Sequence, residues 1–267
     1  MSGPRKILHI LDHSLPLHSG YAFRSRSILG AQQAMGWNPV VLTSPKHEQS
    51  WKGGWAEVEK IDRLTHYRTG AVPRNGTLPV RPEIRLVRAL DRRLRQVIER
   101  EHPGLLHPHS PFLNALPALR QARTRGLPVV YEIRAFWEDA AVDHGTCAEG
   151  SWRYRAVRAL ETRVCHRVDQ VTVLCRGLKE DLVRRGIPEG KITVISNGTQ
   201  AAPSTPPHPD EDFRRRWALE GKTVIGFIGS FYRYEGLDLL IRAFARLAPG
   251  RPDLVLLLVG GGETDEE

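Results

Sequence analysis

Gly104-Leu105-Leu106-His107-Pro108-His109-Ser110-Pro111-Phe112 is a short apolar run that ends in two histidines one residue apart, followed by a Ser-Pro turn. The amphipathic segment 113–125 comes next. This order reads as a parallel strand that delivers His109 to the open edge of a sheet, then a helix. The same pattern recurs along the chain. Apolar runs at 6–11, 39–43, 128–133, 170–174 and 191–195 read as strands, and segments 21–35, 83–100, 152–168 and 177–185 read as helices. Strands alternating with helices predict an α/β fold with parallel sheets covered on both faces. In such sheets, ligands bind beyond the carboxyl ends of the strands. Gly20, His109, Arg134 and Asn197 each follow an apolar strand, so they are expected on one rim. Gly20 stands where a loop enters a helix, and there the first backbone N–H groups are free to meet an anion.

Two other stretches carry expectations. In the helix at 83–100, Ile84, Val87, Leu90, Leu94, Val97 and Ile98 form the apolar stripe, while Arg85, Arg88, Arg92, Arg93 and Arg95 lie mostly off it. That basic face is either solvated or docked on an anionic membrane. Residues 44–82 read as a long irregular stretch holding Trp51, Trp55 and His66, with one short strand near 64–68. Acceptor-side contacts are expected there, because loops of this length are commonly functional.

Composition narrows the function classes. The chain has 267 residues, 40% of them hydrophobic, enough for one large domain or two smaller ones. Its net charge of +9 suits nucleic acid, an anionic membrane or phosphorylated small molecules. No reader motif or aromatic stacking pattern accompanies the charge, so nucleic acid is not an expected partner. Cys147, Cys165 and Cys175 are odd in number and widely spaced, which fits neither a disulfide framework nor a zinc cluster. A cytoplasmic protein is expected. No apolar run approaches the roughly 20 residues that span a bilayer.

The stretch Ala201-Ala202-Pro203-Ser204-Thr205-Pro206-Pro207-His208-Pro209-Asp210 holds four prolines and marks a domain boundary. Residues 1–200 form the expected first Rossmann-like domain, 201–216 the linker and the start of an interdomain helix, and 217–267 a second domain. The second domain shows a strand at 223–229, a helix at 237–247 and a strand at 254–259. That is half of a doubly wound unit, with one face of its sheet uncovered. The expectation is that the protein continues past Glu267, or that a partner chain supplies the missing half.

Five motifs fall in one order along the chain: Ser14-Leu15-Pro16-Leu17-His18-Ser19-Gly20-Tyr21, His107-Pro108-His109-Ser110-Pro111, Tyr131-Glu132-Ile133-Arg134-Ala135-Phe136-Trp137-Glu138, Val194-Ile195-Ser196-Asn197-Gly198, and Gly229-Ser230-Phe231-Tyr232-Arg233-Tyr234-Glu235-Gly236-Leu237. Together they resemble the retaining glycosyltransferases of family four, which have the two-Rossmann GT-B fold. The nearer resemblance is to the subgroup of exosortase and exopolysaccharide loci. The resemblance implies transfer of a sugar from a nucleotide-sugar to a glycan or lipid-linked acceptor, with retention at the anomeric carbon. It implies no metal and no other cofactor. His109 matches the family's active-site histidine near the donor sugar, and Gly20 matches its glycine-rich loop. Ser19, Gly20, Tyr21, Arg134, Glu138, Asn197, Gly229, Ser230 and Arg233 are the implied substrate-binding positions. Many members carry Arg and Lys where Ser230 and Glu235 stand here, which leaves Arg233 as the basic residue of that loop for the diphosphate. The family's paired glutamates would lie beyond Glu267.

Overall fold

The computed structural model describes residues 6–50, 53–54, 56–72, 81–198 and 210–261; Trp51, Trp55 and the proline stretch 201–209 lie outside the described residues. The chain divides into two compact units, residues 1–141 with 147–198, and residues 142–146 with 199–267.

The first unit alternates strands and helices as the apolar runs dictate. Its elements are β1 (Lys6–Leu11), α1 (Gly20–Ala34), β2 (Asn38–Thr43), α2 (Lys46–Ser50), β3 (Val58–Ile61), β4 (Leu64–Tyr67), α3 (Arg81–Glu101) and β5 (Leu105–Pro108). They continue with α4 (Phe112–Arg125), β6 (Val130–Ile133), α5 (Trp137–Asp143), α6 (Trp152–Arg167), β7 (Gln170–Val173), α7 (Arg176–Arg184) and β8 (Ile192–Val194). Strands pair in the orders β3-β4-β2-β1-β5 and β6-β7-β8. Parallel bridges Leu106–Val129 and His109–Glu132 set β6 beside β5. Among the described residues of this unit, only the β3–β4 pair is antiparallel. β1 lies between β2 and β5, so the strand order reverses there, and the crevice above that reversal is where such sheets bind ligands.

Alternation along β1 sorts its side chains. Leu8 and Ile10 join the large core with Leu90 and Leu94 of α3 and Ala115 and Ala118 of α4. Leu11 packs on the opposite face with Leu29 of α1. His9 shares that second face, where it meets Gln32 of α1.

The described residues between 44 and 72 hold more regular structure than their sequence suggests. They hold α2 and a β3–β4 hairpin whose turn residues Asp62 and Arg63 both adopt positive φ, 51° and 66°. Such turns normally announce themselves with glycine, and here none does. The stripe of α3 is also shifted. Leu86 is buried whereas Ile84 is 44% exposed. Arg93 is not solvated: it donates to the carbonyls of Arg68 and Glu57, both at 3.0 Å.

One core carboxyl, Glu161, is pushed toward its protonated form by burial. Glu161 of α6 is fully buried and accepts from the Tyr131 hydroxyl. Burial pushes it up to about 8; the Tyr131 hydrogen bond opposes the shift and nearby Glu138 adds to it. The folded state therefore binds a proton that the unfolded chain releases above the ordinary carboxylate range, so stability falls as pH rises toward 8. Glu161→Gln removes this loss. It is expected to raise the unfolding free energy by about 2–4 kcal/mol near pH 8 and to change it little near pH 4.5, measured by urea denaturation at both values.

The second unit contains α8 (Glu211–Arg216), β9 (Thr223–Ser230), α9 (Leu237–Leu247) and β10 (Leu254–Gly261). Asp210 caps α8 by accepting from the Phe213 N–H at 2.9 Å. β9 and β10 pair in parallel from Thr223–Leu254 to Ser230–Gly261. Gly260 has φ +158°, and a Cβ there would fall 1.8 Å from the Gly229 carbonyl oxygen, so the strands approach only because this position is glycine. Ile228, Leu239 and Leu247 are exposed by 84%, 66% and 55%.

Candidate functional site

The ends of β1, β5 and β6 place three buried histidines and one buried carboxylate on the face covered by α1. His9 and His107 are register partners on neighbouring strands, with ring centroids 4.7 Å apart. His107 and His109, two residues apart on one strand face, stack at 4.4 Å. Glu132 of β6 is in register with His109, and its Oε1 lies 3.5 Å from His109 Nδ1.

Arg134 leaves β6 and folds back over this cluster. Its Nε donates to Glu132 Oε1 at 2.8 Å, Nη2 to His109 Nδ1 at 2.7 Å and Nη1 to the Tyr21 carbonyl at 2.6 Å. Its guanidinium also lies 4.0 Å above the Tyr21 ring. Arg24, one turn along α1 from Tyr21, donates its Nε to the same Glu132 oxygen at 3.0 Å. Its remaining nitrogens reach Asn197 Oδ1 at 2.9 Å, the Ser196 carbonyl at 3.2 Å and the Ile195 carbonyl at 2.8 Å. One carboxylate thus joins two guanidiniums at the strand ends. Burial alone would raise the Glu132 carboxyl, but the Arg134 guanidinium 2.8 Å away holds it well below the usual carboxylate range. Burial, reinforced by neighbouring cations and rings, pushes His107 and His109 down to about 3, so both are neutral at physiological pH.

The loop before α1 is tied to the same group. Ser19 caps α1, accepting from the Ala22 N–H at 3.1 Å, and its hydroxyl lies 2.7 Å from His13 Nε2. The His13 ring lies 4.5 Å from the Tyr21 ring. Arg68, fully buried, holds the loop from below through Ser14 Oγ at 2.7 Å and the Leu15 carbonyl at 2.8 Å. Gly20 begins α1 without positive φ, and a Cβ there would meet nothing within 4 Å. No tight turn requires this glycine, and the space above it is open.

The structure therefore brings Ser19, Gly20, Tyr21, His109, Arg134 and Asn197 into one group. His109 sits at its strand end as anticipated, yet it is buried beneath Arg134 rather than open at the rim. Glu138 is not part of the group. It is buried in α5 and pairs with Arg185 Nη1 at 2.6 Å, while Arg185 lies 3.9 Å over the Phe136 ring. Gly229, Ser230 and Arg233 belong to the second unit, at the end of β9 and in the following short turn Arg233–Glu235. His9, Arg24, Gln32 and Glu132 escaped the reading of the sequence. The available signal was a polar residue at an inward position of an otherwise apolar strand, as in Leu8-His9-Ile10 and Tyr131-Glu132-Ile133. A groove of about 660 Å3 lies elsewhere, along α6, lined by Arg158, Arg163, Arg167 and Arg185, and takes in none of these residues.

His9, His107 and His109 each offer a ring nitrogen within 4.8 Å of the others, a donor type that zinc and iron accept. Arg134 argues against that use. Its N–H faces His109 Nδ1, so the His109 proton sits on Nε2, the nitrogen that would have to ligate.

Among the described residues, no helix is long and apolar enough to cross a membrane.

Comparison with known proteins places this architecture. The chain is 27% identical over 194 residues to the GDP-mannose-dependent alpha-mannosyltransferase of Mycobacterium tuberculosis, covering 71% of this chain and 46% of that protein. It is 25% identical over 171 residues to the phosphatidylinositol N-acetylglucosaminyltransferase GPI3 subunit of Saccharomyces cerevisiae, covering 63% of this chain and 35% of that one. The chain thus spans less than half the length of these relatives. Among solved structures, sucrose-phosphate synthase from Thermosynechococcus elongatus superposes with a TM-score of 0.69 at 17% identity, over 98% of this chain and 64% of that one. Anabaena HepE in complex with UDP gives 0.65 at 14% identity, over 98% and 62%. At such identities the likeness shows the fold, the mixed α/β arrangement of GT-B proteins. Residues 209–267 match the family described as glycosyl transferases group 1. Residues 19–198, well over half the chain and the whole span from Ser19 to Asn197, match the glycosyl transferase 4-like domain, and the chain belongs to that family.

Proposed function

We propose that this chain is part of a glycosyltransferase that moves a sugar from a nucleotide-sugar to a saccharide or lipid-linked acceptor, with retention and without a metal, in polysaccharide biosynthesis. The observation that carries the reading is the Arg24–Glu132–Arg134 group with His109 beneath it, set where the strand order reverses. Glycosyl transfer builds negative charge on a leaving diphosphate, and fixed donors aimed at that charge lower the barrier most. Two guanidiniums share one carboxylate here, which leaves the group net positive at the strand ends. The first N–H groups of α1, with open space above Gly20, add donors beside them. His109 is assigned to the donor sugar, Ser19, Tyr21 and Asn197 to substrate contact, and Arg233 with Gly229 and Ser230 to the nucleotide side. The exposed arginines of α3, Arg88, Arg92 and Arg95, suit peripheral contact with the anionic inner face of a membrane.

The test uses the protein as its native host makes it, supplied with UDP-, GDP- and ADP-sugars and with extracted glycan and glycolipid acceptors. Transfer with an unchanged anomeric configuration supports the reading; transfer with inversion overturns retention. A second reading is a chain that binds acceptor or a partner protein without catalysis, with the exposed Ile228 and Leu239 as apolar surface for such a partner. It prevails when acceptor binds but no donor is consumed.

A further inference from the structure

The neighbours of His109 decide which of its nitrogens carries the proton. A guanidinium only donates, so Arg134 Nη2, 2.7 Å from His109 Nδ1, leaves that nitrogen unprotonated. The neutral ring then carries its proton on Nε2, which lies 2.9 Å from His9 Nδ1. His9 Nδ1 accepts that proton, so His9 is also protonated on Nε2, which lies 2.8 Å from Gln32 Oε1. The chain of donors runs one way, from Arg134 through His109 and His9 to Gln32, whose carbonyl accepts at its far end. Both rings are fully buried, where the uncharged form is favoured.

The opposite direction is available in the same frame. His9 Nδ1–H would then donate to His109 Nε2, and His109 Nδ1–H to Glu132 Oε1, which lies 3.5 Å away. That arrangement turns the His109 nitrogen facing Arg134 from an acceptor into a donor. Arg134 at one end and the Gln32 carbonyl at the other both favour the first direction; without the Gln32 acceptor the His9 Nε2 proton would be left unpaired in the core, which favours the second.

We propose that Gln32 and His9 are positioning residues that hold His109 in the Nε2–H tautomer, so that Nδ1 accepts a hydrogen bond from Arg134 and from a donor-sugar hydroxyl that takes its place. The link to sugar rests on the function proposed above, whereas the tautomer does not. The consequence is specific: at this site His109 receives a hydrogen bond or a proton from the ligand and does not give one.

Side-chain 15N NMR of the labelled 267-residue chain near neutral pH reads the tautomers directly. The expected spectrum shows His109 and His9 each with an unprotonated Nδ1 and a protonated Nε2. Gln32→Leu is expected to reverse or average both tautomers. Gln32→Glu, which keeps an acceptor oxygen, is expected to retain the original pattern. A protonated Nδ1 on His109 in the unsubstituted chain overturns the proposal, as does an unchanged pattern in Gln32→Leu. If Gln32→Leu does not fold, the unsubstituted chain and Gln32→Glu still decide. In protein that transfers sugar, Gln32→Leu is expected to lower kcat about 10–100-fold with the donor KM little changed, and Gln32→Glu to restore it. A change in KM alone would overturn the positioning role. Absence of transfer in the unsubstituted protein retires the glycosyltransferase reading and leaves the spectra to judge this one.

Discussion

Glu132→Leu is expected to lower the unfolding free energy by about 3–5 kcal/mol, which chemical denaturation at neutral pH would measure. The carboxylate is almost completely buried and receives Arg24 at 3.0 Å and Arg134 at 2.8 Å, both on Oε1. Both arginine side chains are themselves nearly buried, at 9% and 8% exposure, so losing Glu132 strands two charges that water reaches poorly. Leucine fills a similar volume, so the loss reports the charges rather than a cavity. The same group sets an acid limit. A carboxyl held below its ordinary range stabilises the fold fully above that range and loses the effect as pH falls through it. His107 and His109, pushed down to about 3, act in the same direction, because the unfolded chain takes up their protons as pH drops below the usual histidine value while the folded chain does not. Stability is therefore expected to fall steadily on acidification below about pH 6, and Glu132→Leu to flatten the lower part of that curve. A loss under 1 kcal/mol would show that the two guanidiniums find other acceptors.

His109→Gln is expected to lower turnover by about 100–1000-fold in protein that transfers sugar, with a smaller change in donor KM. Glutamine keeps an amide oxygen that can accept from Arg134 in place of Nδ1, which limits the structural damage. Alanine would open a cavity among His9, His107 and Arg134 and confound the two effects. A variant that stays folded but loses turnover assigns the loss to the imidazole. A variant with full turnover removes His109 from the reaction and leaves it a packing residue between His9 and Arg134.

Much of the first unit was legible because periodicity is a local property. The strand at 6–11 stands in the structure where its apolar pattern ended, and so, in the second unit, does the helix at 237–247. Of the β3–β4 hairpin, the strand near 64–68 was legible, but β3 and the turn were not, because Asp62 and Arg63 occupy turn positions that glycine or asparagine usually signals. Helix α5 was not legible either. Its seven residues are too few to show a period, and Trp137-Glu138-Asp139 read as a charged exit instead. That shortness also misdirected Glu138. On a loop it would face the rim, but on a helix it turns inward to Arg185.

The sequence alone determined the alternation of strands and helices, the position of His109 at a strand end, and the nearness of Gly20 to a helix start. Each follows from residues within one or two turns of one another. The partners of His109 were decided only by the tertiary structure. Arg24 and Glu132 are 108 residues apart in sequence, and His9 and His109 are 100 apart. They meet because β1 and β5 pair in the register that sets His9 opposite His107, and because β6 closes in beside them. On α1, Tyr21, Arg24 and Gln32 recur at helical spacing and by themselves read as a solvated polar face. The buried histidines beneath that face make it an inner one, since a polar group in a sheet core must find its donor or acceptor on whatever covers it.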